Sequence, residues 1–212
     1  MRDEKKWYLW YDKKQRKTEE IMRKKTCVEM GIKMGHIYFV RHGQSYWNVA
    51  NRICGATDIE LTPEGHRQAE ETGRKILEEK IQFDEILYSP LKRAKETAEH
   101  IAEMTGVPCR AEIRLIEQNF GKYEGTPRNG AEFQEAKRHF IDSYEGGESM
   151  MRMAQRIYNL LDDIREESGH KTYLLVAHNG IARVVNSYFH DLTNEEYAAF
   201  GIDNCEVRRF DF

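Results

Sequence analysis

No stretch of the 212 residues is an apolar run long enough to span a bilayer. The first residues are too charged and too aromatic for a secretory leader, which points to a cytoplasmic protein without a membrane partner. Cysteine is scarce: Cys27, Cys54, Cys109 and Cys205 are far apart and make no Cys-x-x-Cys pair. Reduced thiols in a cytosolic protein are expected, rather than a disulfide framework. Nor does charge of one sign dominate. Lys and Arg number 33 against 36 Asp and Glu, a formal net charge of -3, so no bulk attraction to nucleic acid or acidic membranes is expected. Internal repeats, linkers and low-complexity tracts are missing too. What remains is a chain with 40% hydrophobic and 33% charged residues, enough for one full-sized domain with its own core.

Residues 1–33 differ from the rest. They hold 11 Lys or Arg and 6 Asp or Glu, a net +5, leaving −8 for the remainder. Trp7, Trp10 and Tyr11 interleave with lysines, a pattern that suits a membrane surface, a partner groove or single-stranded nucleic acid. The plainer reading, a basic N-terminal arm or extension outside the chemistry, is preferred. The folded unit is assigned to residues 34–212.

Within that unit, apolar strands alternate with amphipathic helices. The run Ile37–Val40 predicts a buried strand that stops at Arg41, His42 and Gly43. Ser45 to Asn48 predicts a short helix turning its free N–H groups toward Gly43 and a bound anion. Thr62 and Pro63 start a helix that runs to about Glu79, with Ala69, Ile76 and Leu77 facing inward. Glu85–Tyr88 is a strand halted at Ser89-Pro90, and the next helix carries Arg93 in its first turn. A third strand is expected over Arg110–Ile113, ending near Glu117. Residues 129–144 show helical spacing in Phe133, Ala136 and Phe140. After Gly146-Gly147, the stripe Met150, Ala154, Ile157, Leu161 and Ile164 marks a core-facing helix. Thr172–Ala177 is apolar throughout, as a central parallel strand should be, and ends in His178-Asn179-Gly180. Thr193 and Glu196 form a capping box, and Cys205–Phe212 suits a final edge strand. The expected fold is a single three-layer α/β/α domain with a mostly parallel central sheet.

Strand after strand thus ends in a charged or titratable residue: Arg41 and His42, Arg93, Glu117, His178. In a parallel sheet these ends share one edge. An arginine holds an anion through a planar fork, and a histidine can attack or shuttle a proton. Arg93 is the telling choice, because a cation at a helix N-terminus opposes the helix dipole unless an anion neutralises it.

These residues fall into six ordered motifs. They are Arg41-His42-Gly43-Gln44-Ser45-x-Trp47-Asn48; Asp58-x-x-Leu61-Thr62-x-x-Gly65; and Ser89-Pro90-Leu91-x-Arg93-Ala94-x-x-Thr97-Ala98. Then follow Leu115-x-Glu117-x-x-Phe120-Gly121-x-x-Glu124-Gly125, Gly147-Glu148-Ser149 and Val176-Ala177-His178. On these motifs the chain resembles the histidine phosphatase superfamily, in its phosphoglycerate-mutase-like branch, from about residue 36 to the end. The resemblance implies that His42 is the nucleophile that accepts the phosphoryl group. Arg41, Arg93 and His178, the last as a cation, would hold the phosphoryl oxygens, with Glu117 as general acid and base. Gln44, Asn48, Cys54, Gly55 and Asn179 are the candidate substrate-binding residues. Neither metal nor cofactor is expected, since the arginines supply the positive charge.

Two departures from the family pattern stand out. Asn179 takes the place of the glycine that usually follows the last histidine; it either narrows the pocket or adds a donor. Gln118-Asn119-Phe120 follows the catalytic glutamate where mutases have Arg-His-Tyr, and the lid-forming insertion is short. The resemblance therefore implies a phosphatase acting on a small phosphorylated metabolite. A cofactor-dependent phosphoglycerate mutase and a non-catalytic phosphate-recognition module are the alternatives. Phe120, Tyr123, Phe133 and Phe140 either line the pocket mouth or pack the insertion onto the sheet. A homodimer is compatible with the sequence, which does not specify it.

Overall fold

Five strands in the order β3-β2-β4-β1-β5 form the centre of the protein in the computed structural model, which describes residues 35–212. The basic arm, with its tryptophans and Cys27, lies outside the described residues. β1 (His36–Arg41), β2 (Glu85–Tyr88), β3 (Cys109–Ala111) and β4 (Tyr173–Ala177) run parallel, and β5 (Val207–Asp211) pairs antiparallel with β1 at one edge. β4 is the central strand and every one of its residues is buried. Between the strands lie α1 (Tyr46–Val49), α2 (Pro63–Glu78), α3 (Lys92–Thr105), α4 (Ala131–Ala136), α5 (Met150–Glu167), α6 (Asn179–Phe189) and α7 (Asn194–Ala199).

Strand side chains alternate between faces, and the two cores follow that alternation. Val40, Ile86, Leu174 and Val176 meet Ile76 of α2 and Ala94, Ala98 and Ile101 of α3. Ile37, Phe39, Leu87 and Leu175 meet Met153, Ile157 and Leu161 of α5 and Val184 and Val185 of α6. Each such aliphatic side chain contributes about 1.5–3 kcal/mol by leaving water, so helices must cover both faces. The layers are therefore α/β/α. No described helix is long and apolar enough to cross a membrane.

Local chemistry sets the element ends. Thr62 accepts the Gly65 N–H and Pro63 opens α2; Ser149 accepts the Arg152 N–H at the start of α5. Thr193 and Glu196 close a capping box on α7. Four expectations need correction. Leu77 is 50% exposed, because one residue beyond the inward Ile76 the helix has turned about 100°. β3 ends at Ala111, since Glu112 accepts the Arg114 N–H and starts a turn of 3₁₀ helix over Ile113–Leu115. The helix over 129–144 is confined to Ala131–Ala136, with no side-chain cap at Gly130. Tyr144 and Glu145 take left-handed backbone (φ +57° and +52°), and Tyr144 packs on Phe120 and Tyr123. Finally, α1 does not present its first N–H groups: Ser45 N–H goes to Asn48 Oδ1 and Tyr46 N–H to the Glu60 carbonyl.

Candidate active site

The ends of β1 and β4 are neighbours in register, Arg41 beside Ala177, which brings His42 and His178 together with ring centroids 5.1 Å apart. Both imidazoles are buried. His42 Nδ1 lies 2.7 Å from the carbonyl oxygen of Gly43. A carbonyl only accepts, so Nδ1 carries the proton and Nε2 keeps its lone pair. Burial, then Arg93 and Arg41, hold the imidazole well below the usual histidine range, against the pull of the Gly43 carbonyl. The neutral ring, with its lone pair on Nε2, is thus favoured. The turn that fixes it is tight. A Cβ on Gly43 would stand 2.4 Å from the Gly65 carbonyl oxygen, and one on Gly65 would stand 2.1 Å from that of Gln44. The Gly43 N–H donates to Thr97 Oγ1 (3.0 Å), and Asn204 Nδ2 donates to the His42 carbonyl (2.7 Å).

His178 Nε2 is 2.7 Å from Ser89 Oγ. With the serine donating, the proton of the neutral ring sits on Nδ1, a buried atom with no partner. Burial, then Arg93, His42 and Arg41, keep this ring well below the usual histidine range too. Beside two arginines and a second imidazole, the neutral ring is favoured in the free protein; the cation expected beside a bound phosphate concerns a different state.

Arg93 is fully buried. Its guanidinium donates to the carbonyls of Thr57 (2.9 Å) and Gly55 (2.7 Å), while Nε has no partner. Arg41 donates from one terminal nitrogen to the Ile202 carbonyl (2.9 Å) and its buried Nε is likewise unpartnered. Glu117 is buried; its oxygens accept the N–H groups of Gln118 (2.9 Å) and Gly180 (3.0 Å). Burial raises its pKa despite these donors and Arg93. Gly180 is required by this contact, since a Cβ there would stand 2.4 Å from Glu117 Oε1.

Arg41, His42, Asn48, Cys54, Glu117 and Asn179 line one cavity of about 120 Å³. That is below the usual range for drug-sized ligands and suits a small molecule. Asn179 Oδ1 accepts the Ile202 N–H (3.0 Å), so its NH₂ end is left to donate. Two of the expected binding residues also make bonds within the protein. Gln44 Oε1 accepts from the Thr62 hydroxyl and its N–H goes to Gln68. Gly55 gives its N–H to Glu124 and its carbonyl to Arg93. Phe120 and Phe133 line the cavity and also pack with Tyr123 and Tyr144; Phe140 lies in a separate groove with Met150 and Tyr197. Among the described residues no group of three or more His, Cys, Asp or Glu side chains is placed to hold a metal ion.

Sequence reasoning gave no role to Glu124, although it stands in a quoted motif. Its carboxylate accepts the N–H groups of Gly55, Ala56, Thr57 and Phe120 and the Thr57 hydroxyl, at 2.7 to 3.3 Å. It therefore shapes the loop whose carbonyls hold Arg93. An amide nitrogen here would face backbone donors. Glu124→Gln is expected to lower the unfolding free energy by about 2 kcal/mol and kcat by more than about tenfold, read by urea denaturation and steady-state kinetics. Arg128, Lys137 and Arg183 also line the cavity without having been singled out. Lone basic residues carry no pattern in sequence.

Three comparisons bear on this geometry. Residues 37–212 match the family model for the histidine phosphatase superfamily, branch 1. A probable phosphoglycerate mutase of Erwinia tasmaniensis is 31% identical over 185 residues, covering 84% of this chain and 85% of that protein. An uncharacterized phosphatase of Bacillus subtilis is 34% identical over 145 residues, covering 68% and 72%. Among solved structures, the mycobacterial glucosyl-3-phosphoglycerate phosphatase superposes with a TM-score of 0.73 at 26% identity, covering 84% of this chain and 91% of that one. On the family model and these two relatives, this chain belongs to the histidine phosphatase superfamily, branch 1.

Proposed function

We propose that the protein is a metal-independent phosphomonoesterase that hydrolyses a small phosphorylated metabolite through a phosphohistidine on His42. One observation carries this reading: Arg41 Nε, Arg93 Nε and His178 Nδ1 are buried around His42 with no hydrogen-bond partner. A buried unsatisfied donor costs about 1–3 kcal/mol, so three at one place call for an acceptor-rich anion. Bound there, a phosphoryl group receives all three N–H groups as His42 Nε2 attacks phosphorus. The ester oxygen leaves with the proton of Glu117. Water then attacks the phosphohistidine as Glu117 takes a proton back, releasing phosphate and restoring both residues.

The groups after Glu117 favour hydrolysis over return of the phosphoryl group. Gln118 is buried and its side-chain NH₂ donates to the Glu148 carbonyl, so it does not reach the cavity. Support for a mutase comes from the Erwinia relative's name. Phosphate release from a panel of small phosphomonoesters in EDTA, beside a bisphosphate-primed isomerisation assay, decides between them. Release without primer supports the phosphatase; isomerisation that needs primer, with no release, overturns it.

The proton on Glu117 sets a pH signature. With its pKa raised, the acid is retained above the usual carboxylate range, and activity is lost as pH rises through that pKa. The acid limb comes where His42, with its pKa lowered, takes up a proton. Glu117→Gln is expected to cut kcat/KM, which reads only the first phosphoryl transfer, by about 10²–10⁴ on alkyl phosphates. The loss of kcat/KM on p-nitrophenyl phosphate, whose leaving group needs no proton, should be much smaller. Equal losses of kcat/KM on both esters would count against the acid role.

A further inference from the structure

A second pair of histidines sits on the seam between α2 and α3, and neither lines the cavity of His42. His66 of α2 and His100 of α3 meet edge to face with ring centroids 5.2 Å apart, and His66 Nδ1 lies 2.9 Å from His100 Nε2. Both rings reach the surface; the His66 side chain is 42% exposed. Packing, rather than the pair itself, sets the spacing of the helices. Ile76 shares a core with Ala94, Ala98 and Ile101, and a Cβ on Gly73 would stand 2.9 Å from Met104 Sδ.

Two neutral imidazoles at this distance share one proton, so one of the two facing nitrogens always offers a lone pair. The Glu96 carboxylate stands 4.0 Å from the other nitrogen of His66, Nε2. A carboxylate there favours the tautomer protonated on Nε2, which turns the Nδ1 lone pair toward His100. With the His100 proton moved from Nε2 to Nδ1 through solvent, two lone pairs converge on one point between the helices. Such a point suits a divalent cation that takes imidazole ligands. Tetrahedral Zn²⁺, with bonds of about 2.0–2.1 Å, sets its nitrogen ligands about 3.3 Å apart, or about 0.4 Å beyond the present gap. Small rotations of two half-exposed rings supply that difference.

We propose that His66 and His100 form a binding site for a divalent cation of the zinc class, with Glu96 supporting His66 and water filling the remaining positions. The ion replaces the shared proton and ties α2 to α3. It takes no part in phosphoryl transfer, and the site stands whether or not the protein is a phosphatase. Its place in the fold gives the tie a use. Gly65, next to His66, packs on the Gly43 turn, and Thr97, one turn before His100, accepts the Gly43 N–H. The ion therefore joins the two helices that support the backbone of His42.

Zn²⁺ titrated into the full chain, stripped with a chelator and returned to phosphate-free buffer, tests this by calorimetry. One bound ion should have a Kd that rises about tenfold or more in His66→Ala and in His100→Ala, and no further in the double variant. Glu96→Gln should weaken the same ion by about tenfold. Zn²⁺ should also raise the midpoint of urea unfolding in wild type and in His42→Ala, and leave it unmoved in the two seam variants. Each seam variant loses one hydrogen bond at a half-exposed surface, and unfolding curves in EDTA check that it remains folded. Zinc bound equally well by both seam variants is an adventitious ion only and overturns the proposal. So does an absence of binding up to about 1 mM, or binding that leaves the wild-type midpoint where it was.

Discussion

His42→Ala is expected to abolish turnover, lowering kcat/KM by about 10⁵-fold or more, while the fold and the affinity for phosphate esters survive. The large loss follows because covalent capture depends on the His42 Nε2 lone pair, and the Cys54 thiol on the same cavity is held protonated by burial. Survival of the fold follows from what the imidazole does for it. Its one hydrogen bond, Nδ1–H to the Gly43 carbonyl, is worth about 1 kcal/mol. The main chain there stays anchored through His42 N–H to the Ala177 carbonyl and the Asn204 bond. Acid-quenched reactions with a ³²P-labelled ester should give labelled wild type and unlabelled variant. Label retained in the variant would place the phosphoryl group elsewhere.

Arg93→Met should lose about 10³-fold or more in kcat/KM, because removing one preorganised donor at a developing charge costs 10²–10³ and this residue contributes a full charge as well. Its stability effect divides by ligand state. Without an anion, Arg93 is a buried charge held by carbonyls rather than a counter-ion. The loss of two hydrogen bonds is then partly offset because a buried charge without a counter-ion is removed. With an anion, wild type should gain about 2.7 kcal/mol at vanadate near 100 times Kd, and the variant should gain almost none. Arg93→Lys restores the charge but not the fork that grips both carbonyls, so a loss of about 10²-fold should persist. Thermal unfolding with and without vanadate, alongside kinetics, separates these contributions.

The site was legible in the sequence where a strand delivered it. Arg41, His42 and His178 follow apolar runs whose length and flanking glycines announce a buried strand and a sharp exit, and parallel topology carries such exits to one edge. Arg93 was legible through its conflict with a helix dipole. The other bases that line the cavity were not. Arg128 and Lys137 look like any solvated base, and Arg183 sits in a helix whose stripe is apolar; only the folded chain sets them around one cavity. The internal bonds of Gln44 and Gly55 to Thr62, Gln68, Glu124 and Arg93 were not legible either, because adjacency to a motif says nothing of direction. The over-long helix before Gly146 arose from spacing alone, and the tertiary pull of Tyr144 into an aromatic cluster outweighed it.

The hydrogen bond from His42 to its own neighbour's carbonyl has a consequence for how the enzyme responds to change. Many catalytic histidines lean on a carboxylate that can be mutated, modified or titrated away. Here the support is main chain, locked by two glycines in contact, Gly43 and Gly65. It has no ionisation of its own, so the choice of reactive nitrogen is the same at every pH at which the protein is folded. No side-chain substitution at the supporting residue can remove it without also adding an atom where there is no room. The alignment of the His42 ring is therefore inherited from the packing of α2 against the β1 turn, and it is as robust as that packing.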